Sequence, residues 1–213
     1  VEDIYVHPNM GDGGLATGSA LLLHARRSPI GPERLDNVYL GTELTEAGIA
    51  AELRRQNLPF VRHNDVETAI ATCLAEGKVV ARVNGRMEYG PRALGNRSIL
   101  YQATDVTVNR WLNKRLKRTE FMPFAPAILQ ERAGDYYRDY PASRYAAEFM
   151  TVTYDVTERC KKEAPAIVHV DHTARPQVVS ERTNPSFHKI LKAYEQLTGY
   201  PQVVNTSFNM HEE

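Results

Sequence analysis

Apolar residues recur at helical spacing in five segments of the chain. In the clearest one, residues 185–197, a proline occupies the first turn and Gly199 follows the last apolar residue. The apolar stripe of this segment is Phe187, Ile190, Leu191, Tyr194 and Leu197. A second stripe is formed by Val108, Leu112 and Leu116. The pattern predicts helices over residues 15–27, 45–56, 65–76, 105–116 and 185–197.

Short apolar runs between these helices predict strands. They cover residues 4–6, 37–41, 60–61, 78–83, 97–102, 147–154, 166–171 and 201–204. Residues 123–129 are also apolar, but their two prolines restrict them to an edge strand or an irregular segment. Because strands and helices are interspersed, the predicted fold class is α/β, or α+β, with a mixed sheet.

Composition and charge exclude several classes of protein. The 213 residues are 42% hydrophobic and 24% charged, which is typical of a globular chain. The 26 basic and 26 acidic residues give no net charge, so no overall field attracts the chain to nucleic acid or to a membrane. No apolar run approaches the roughly 18 residues of a membrane span. The two cysteines lack metal-ligand spacing. These features predict a cytoplasmic protein.

The ends of the chain predict a piece of a longer protein. The sequence begins at Val1 without a methionine, and it stops soon after the strand predicted at 201–204. Residues 28–33 contain two prolines and a glycine, which makes them the best candidate for a linker.

One loop carries the strongest chemical signal. Residues 85–98, the signature loop, read GRMEYGPRALGNRS and contain three glycines, a proline and three arginines. Glycines let a backbone approach a ligand closely, and the planar guanidinium group matches phosphate and carboxylate oxygens. Glu88 is suited to hold one guanidinium in place. The alternative is a solvated turn with scattered surface arginines.

Positive charge is concentrated around this loop. Residues 82–118 contain nine basic and two acidic residues in a chain that is neutral overall. This predicts a cleft for a polyanion, such as ATP with a second phosphate. Two alternatives stay open: a solvated helix face for Arg110 and Lys114, or a non-catalytic RNA- or nucleotide-binding module. Nucleic acid is the weaker interpretation, because the net charge is zero and no RNA-binding motif is present.

Two later segments add candidate ligands. A strand over residues 168–175 would place His169 and His172 on opposite faces, so the pair could not chelate a metal. A core position is favoured for His169, and Arg175 is a candidate phosphate ligand. Residues 205–209 read NTSFN after an apolar strand, where open sheets place ligand groups, with a simple turn as the alternative.

Taken together, these segments resemble one family. Residues 85–100, 121–126, 169–175 and 205–209 resemble, in order, the motifs of the carbamoyltransferase C-terminal domain of nodulation-protein and antibiotic O-carbamoyltransferases. Residues 8–14, PNMGDGG, are similar to the last loop of the N-terminal domain of that family. The resemblance covers essentially the whole chain, and the first of these motifs is highly specific.

The resemblance implies a two-domain enzyme. Residues 1–33 would be the tail of an N-terminal actin/Hsp70-like transferase domain with its linker. Residues 34–213 would form a YrdC-like domain, a twisted mixed β-sheet with flanking helices and a basic concave face, truncated at its end. That domain would make carbamoyl-adenylate from carbamoyl phosphate and ATP with Mg²⁺. The other domain, holding a transition metal such as iron, would pass the carbamoyl group to an acceptor hydroxyl. A homodimer is a further expectation.

Site residues follow from the same motifs. The resemblance implies that Arg92 and Arg175 are catalytic anion ligands, and that Asp12 matches a metal-ligand aspartate. That metal site would be incomplete, because none of the seven histidines forms the His-x-x-x-His pair of the family. The other expected substrate- or ATP-binding residues are Arg86, Glu88, Arg97, Ser98, Lys117, Arg118, Asn205 and Ser207.

Three positions depart from the family pattern. Met122 stands where many members have an arginine, and His172 stands at a frequent glycine position. Leu116 aligns with a lysine of many members and is followed by Lys117. Either Lys117 replaces that lysine or the phosphate site is rearranged.

Overall fold

A five-stranded mixed sheet organises the chain, which the computed structural model describes over residues 4–31, 34–117 and 124–208. Its strands are β1 (Val80–Val83), β2 (Arg97–Gln102), β3 (Ala125–Leu129), β6 (Gln177–Val179) and β7 (Gln202–Ser207). They lie in the order β1-β2-β7-β3-β6, and all neighbours are antiparallel except the parallel pair β3 and β6. A second, two-stranded sheet consists of β4 (Tyr154–Asp155) and β5 (Thr173–Ala174).

All five predicted helices are confirmed, and two short ones join them within the described residues. The helices are α1 (Gly13–Ala25), α2 (Glu46–Arg55), α3 (Val66–Ala75), α4 (Val108–Arg115), α5 (Ala133–Tyr136), α6 (Glu158–Glu163) and α7 (Pro185–Thr198). Side chains of Thr45, Asp65 and Asn184 accept hydrogen bonds at the starts of α2, α3 and α7. Gly199 ends α7 in the left-handed conformation. The mixed α and β content confirms the predicted fold class.

Both faces of the sheet are buried. On one face Leu100 and Val203 join the hydrophobic cluster of α3 and α7, which also contains Phe187. On the other face Ile99 and Val204 join a larger cluster that includes residues of α4, α5 and α6. Because neighbouring residues of a strand point to opposite faces, β2 and β7 are apolar at successive positions.

The expectation of an edge strand or irregular segment at residues 123–129 is wrong. β3 lies inside the sheet, between β7 and β6. Its proline is tolerated because β6 pairs with β3 only from Ala127 onward, so Pro126 has a single neighbouring strand, at Val204.

Several predicted strands are also wrong. No strand forms over residues 4–6, 37–41, 60–61 or 166–171, and only the last residue of 147–154 enters one. Residues 166–167 instead belong to a 3₁₀ turn, Pro165–Ile167, in which Ile167 is fully buried. Val170 in the same run is 97% exposed and Val61 in the run 60–61 is 79% exposed, so these short apolar runs predicted neither burial nor backbone conformation reliably.

The N-terminal segment rests on the signature loop. The Thr17 and Tyr89 hydroxyls are 2.8 Å apart, and the His7 ring meets the Tyr89 ring edge to face. α1 has no buried residue, and Leu15, Leu22 and other leucines on it are more than half exposed. Among the described residues, no helix is both long and apolar enough to cross a bilayer.

Candidate functional site

The sheet holds the carbonyl side of the signature loop. Asn205 Nδ2 donates to the Ala93 carbonyl oxygen at 3.0 Å and to Gln177 Oε1 at 2.9 Å. Gln177 Nε2 in turn donates to the Leu94 carbonyl oxygen at 2.8 Å. Both amides are buried, at the ends of β7 and β6. Two strands thereby fix the residues that directly follow Arg92.

Arg82 holds the next part of the loop. Its Nη1 donates to the carbonyl oxygen of Gly95 and to Asn96 Oδ1, the latter at 3.0 Å, and its Nη2 donates to Ser186 Oγ at 2.9 Å. The guanidinium also lies over the Phe187 ring, 5.6 Å from its centroid. Burial lowers the pKa of Arg82 to about 10. Arg82 is thus a buried structural cation, a role that its place in the apolar strand β1 did not reveal.

The amide side of the loop is held by Glu88. Its Oε1 accepts hydrogen bonds from the backbone nitrogens of Leu94 at 2.8 Å, Asn96 at 2.7 Å and Arg97 at 3.1 Å. The prediction that Glu88 holds a guanidinium is therefore wrong among the described residues, where its hydrogen bonds go to backbone amides. This follows from the tight turn of the loop, which points three amides at one oxygen.

Arg97 and Ser98, both predicted to bind substrate or ATP, form hydrogen bonds that hold the loop together. The Arg97 guanidinium donates to the carbonyl oxygens of Asn84, Gly85 and Asn96, at 2.7–3.0 Å. Ser98 is fully buried, and its Oγ accepts a hydrogen bond from the Gly95 nitrogen at 2.9 Å. Direct contact of either side chain with a ligand stays a prediction.

Arg92 and Arg175 are different, because neither has a hydrogen bond or an ion pair within the described residues. The Nε atoms of both are buried without a partner. Burial lowers the pKa of each guanidinium, and the charge of Arg92 lowers that of Arg175 further. The structure therefore brings together two half-buried cations, 83 positions apart in the sequence, whose charges no described carboxylate neutralises.

His169 lies beside this pair. The pKa of His169 is lowered, mainly by burial. The charge of Asp171 opposes this shift, and the charge of Arg175 adds to it. The segment is a turn rather than the predicted strand: the His172 nitrogen donates to the His169 carbonyl oxygen, and His172 has a φ of +65°. His169 is only half-buried, so the prediction of a core histidine is wrong. Its ring has no hydrogen bond among the described residues.

Asn205 and Ser207 lie in the second half of β7, next to the loop. Asn205 is 2% exposed, and its Oδ1 is buried without a hydrogen-bond partner in the described part of the chain. Ser207 pairs with Ser98 across β2 and is partly exposed. Direct contact of either side chain with a ligand stays a prediction, but Asn205 already has a structural role.

Of three other predicted ligands, two are exposed and one lies outside the described residues. Arg86 is exposed, forms an ion pair with Glu43 at 3.7 Å, and lines a polar pocket of about 310 Å³ at the start of α7. Lys117 is exposed just after α4, with a φ of +54°. Arg118, like Met122, lies outside the described residues.

Asp12 is exposed at the start of α1 and makes no capping hydrogen bond. Across residues 4–31, 34–117 and 124–208, no group of three or more His, Cys, Asp or Glu side chains is placed to hold a metal ion. The described fold therefore does not complete the metal site expected around Asp12.

Comparisons with known proteins identify the family of the chain. Residues 71–213 match the family described as carbamoyltransferase C-terminus. The chain is 37% identical to the uncharacterized protein MJ1051 of Methanocaldococcus jannaschii over 218 residues, which are 99% of this chain and 41% of that protein. It is 37% identical to nodulation protein NolNO of Sinorhizobium fredii over 217 residues, which are 100% of this chain and 32% of that protein. A nodulation protein U of Rhizobium fredii is 33% identical over 211 residues, 99% of this chain and 34% of its own length. The chain thus spans less than half of the length of each of these relatives.

Proposed function

Since the chain belongs to the carbamoyltransferase C-terminus family, we propose that it is the carbamoyl-activating part of an O-carbamoyltransferase. It binds carbamoyl phosphate and ATP and forms carbamoyl-adenylate, and the remainder of a longer protein transfers the carbamoyl group to an acceptor hydroxyl. The observation that carries the proposal is the pair Arg92 and Arg175, half-buried cations without an acidic partner among the described residues.

An anion is the natural occupant of this pair. Two neighbouring cations repel each other, and partial burial strengthens the repulsion because fewer waters screen it. A phosphate group bound between them would neutralise both charges and accept hydrogen bonds from the planar guanidinium groups. Among the described residues near the loop, Arg82 and Arg97 already donate to protein oxygens and Arg86 forms an ion pair, which leaves the pair of Arg92 and Arg175 for a ligand.

The chemistry requires such cations. Hydrolysis of carbamoyl phosphate yields carbamate and phosphate, and a carbamate oxygen then attacks the α-phosphorus of ATP, forming carbamoyl-adenylate and releasing pyrophosphate. Bringing these anions together needs fixed positive charge, which also stabilises the charge that develops on the leaving pyrophosphate. Mg²⁺ would enter with ATP. A transition metal such as iron would belong to the rest of the longer protein, because the described residues around Asp12 do not form a site for it.

The arrangement favours a small anion over RNA. An RNA-binding face needs a continuous exposed basic stripe. Here Arg82 and Arg97, two of the nine basic residues between positions 82 and 118, direct their guanidinium groups into the protein. The YrdC-like fold, the homodimer and the cytoplasmic location stay predictions.

Calorimetric titration with carbamoyl phosphate, with ATP and with both tests the proposal. Arg92→Ala and Arg175→Ala should each weaken binding of carbamoyl phosphate about ten- to a hundredfold, from the loss of roughly 1.5–3 kcal/mol in a charged hydrogen bond. Arg92→Lys should not restore binding, since a point charge cannot reproduce the planar fork. Arg138→Ala, at an exposed arginine, is the control and should bind like the parent. Parental affinity in both Arg92→Ala and Arg175→Ala would refute the site.

Activity measurements test the reaction itself. The chain should exchange pyrophosphate into ATP only when carbamoyl phosphate is present. It should not carbamoylate a sugar or natural-product alcohol by itself, because it spans well under half of its relatives. Transfer to a hydroxyl by this chain alone would contradict the division of labour proposed here.

A further inference from the structure

The Glu88 side chain makes hydrogen bonds only to the signature loop within the described residues. It is 7% exposed, and a single oxygen, Oε1, receives the backbone amides of Leu94, Asn96 and Arg97. These bonds close a turn of six to nine residues, and Arg92 lies inside that turn. The residue that closes the turn is thus separate from the residue that faces the anion.

The turn is held on its other side as well. The carbonyl oxygens of Ala93 and Leu94 accept hydrogen bonds from β7 and β6, and that of Gly95 accepts one from Arg82. Buried amides and carbonyls without partners are costly, so these contacts together allow one backbone conformation after Arg92. A guanidinium whose backbone is held in this way can align two hydrogen bonds to an anion with less loss of conformational entropy.

We propose that Glu88 is a positioning residue for Arg92, and that its carboxylate orients the anion-binding arginine without touching the ligand. The inference rests on the proposed role of Arg92 as an anion ligand. It replaces the expectation that Glu88 itself binds substrate or ATP.

The direction in which anion affinity changes on substitution of Glu88 distinguishes a positioning role from a purely electrostatic one. A negative charge close to an anion site opposes binding, so a purely electrostatic Glu88 would make affinity rise when its charge is removed. A positioning Glu88 depends on where its oxygen lies rather than on its charge. Glu88→Gln keeps an oxygen acceptor at the same length, whereas Glu88→Asp keeps the charge but withdraws the oxygen by one methylene group.

The experiment measures the affinity of the chain for carbamoyl phosphate and for inorganic phosphate by calorimetry. Glu88→Asp should weaken both about tenfold, within the range of coupling between residues of one hydrogen-bond network. Glu88→Gln should stay within about threefold of the parent. In an Arg92→Ala background, Glu88→Asp should cause no further loss, because the residue through which it acts is gone. Thermal unfolding of each variant reports its stability separately.

A matched control shows whether a loss of stability by itself lowers phosphate affinity. Tyr137 is buried on the other face of the sheet and its hydroxyl donates to Gln202 Oε1 at 2.7 Å, so Tyr137→Phe also removes a buried hydrogen bond. It should lower the unfolding temperature and leave phosphate affinity unchanged.

Three outcomes would overturn the inference. They are parental affinity in Glu88→Asp, tighter binding in Glu88→Gln, and an undiminished effect of Glu88→Asp when Arg92 is alanine. The last outcome would assign Glu88 to the ligand directly. If Arg92→Ala binds phosphate with the parental affinity, the proposed function fails. If Arg92→Ala binds phosphate more weakly while Glu88→Asp keeps the parental affinity, only the positioning role is refuted.

Discussion

Asn205 and Ala93, 112 positions apart in the chain, are joined by a 3.0 Å hydrogen bond from the Asn205 side-chain nitrogen to the Ala93 carbonyl oxygen. The second amide hydrogen goes to Gln177 Oε1, so both donors of this buried side chain are used. Because the carbonyl of Ala93 can only accept, the orientation of the amide is determined by its partners. The last strand of the sheet is therefore tied directly to the residue after Arg92.

Removing this tie should destabilise the protein. Asn205→Ala leaves the Ala93 carbonyl oxygen and Gln177 Oε1 without a donor, and it should lower the free energy of unfolding by about 1–3 kcal/mol. Urea denaturation measures the change. Asn64→Ala, at an exposed asparagine, should stay within about 0.5 kcal/mol of the parent. Equal stability of the two variants would contradict the role assigned to Asn205.

Gly95 should tolerate no side chain. Its φ is +103°, and a Cβ atom there would collide with the ring of Phe187. Gly95→Ala should lower the free energy of unfolding by about 1–3 kcal/mol from the backbone conformation, with a further loss from the collision. In a Phe187→Leu background, the loss of stability that comes from the collision should decrease, and the loss that comes from the backbone conformation should remain.

Gly134 provides the matched control for this substitution. It lies inside α5, and a Cβ atom there would meet nothing within 4 Å. Gly134→Ala should leave stability unchanged or raise it by up to about 1 kcal/mol. A Gly95→Ala variant as stable as Gly134→Ala would show that the loop can relax around Phe187.

The link between α3 and α7 should weaken in acid. The Lys189 ammonium lies 2.9 Å from Asp65 Oδ1, and that contact, with the Thr68 amide, lowers the pKa of Asp65 to about 2. A lowered folded-state pKa adds stability above the ordinary value of 3.8, and this stability is lost as the pH falls towards 2. Asp65→Asn should therefore lower the unfolding temperature at pH 7 and make no difference near pH 2. The effect will be modest because the pair is exposed.

Anion binding should take up a proton at His169. Burial and the charge of Arg175 lower the pKa of this ring, so protonation in the free protein opposes folding and stability falls as the pH drops below 6.5. An anion at Arg175 would remove that repulsion and raise the pKa. Sulfate, whose own charge is constant over this range, should bind several-fold more tightly at pH 5.5 than at pH 8. The pH dependence should disappear in His169→Gln, and a parental profile in that variant would contradict the prediction.

Local features of the sequence determined the helices and the identity of the arginine pair. The stripe of α7 needs only neighbouring residues, and its proline start and Gly199 end were confirmed. Leu197 is the exception in that stripe, since it is 56% exposed near the end of the helix. The motifs around Arg92 and Arg175 also indicated the family, which the match over residues 71–213 confirms. Each of these signals is formed by residues that are close to one another in the chain.

Tertiary structure decided the rest, because it brings together residues that are distant in sequence. Nothing near Arg82 or Asn205 indicates that their partners are the loop carbonyls of Gly95 and Ala93. β3 lies inside the sheet only because β7, which follows it by more than 70 positions, pairs with it. Short apolar runs did not decide the backbone conformation, and their burial also depends on what packs against them: Ile167 is fully buried, whereas Val170 in the same run is exposed. The fold decides which carbonyl oxygens each arginine meets, and so whether that arginine supports the loop or stays available for a ligand. Arg97 and Arg92 have different roles for this reason, although they are only five residues apart.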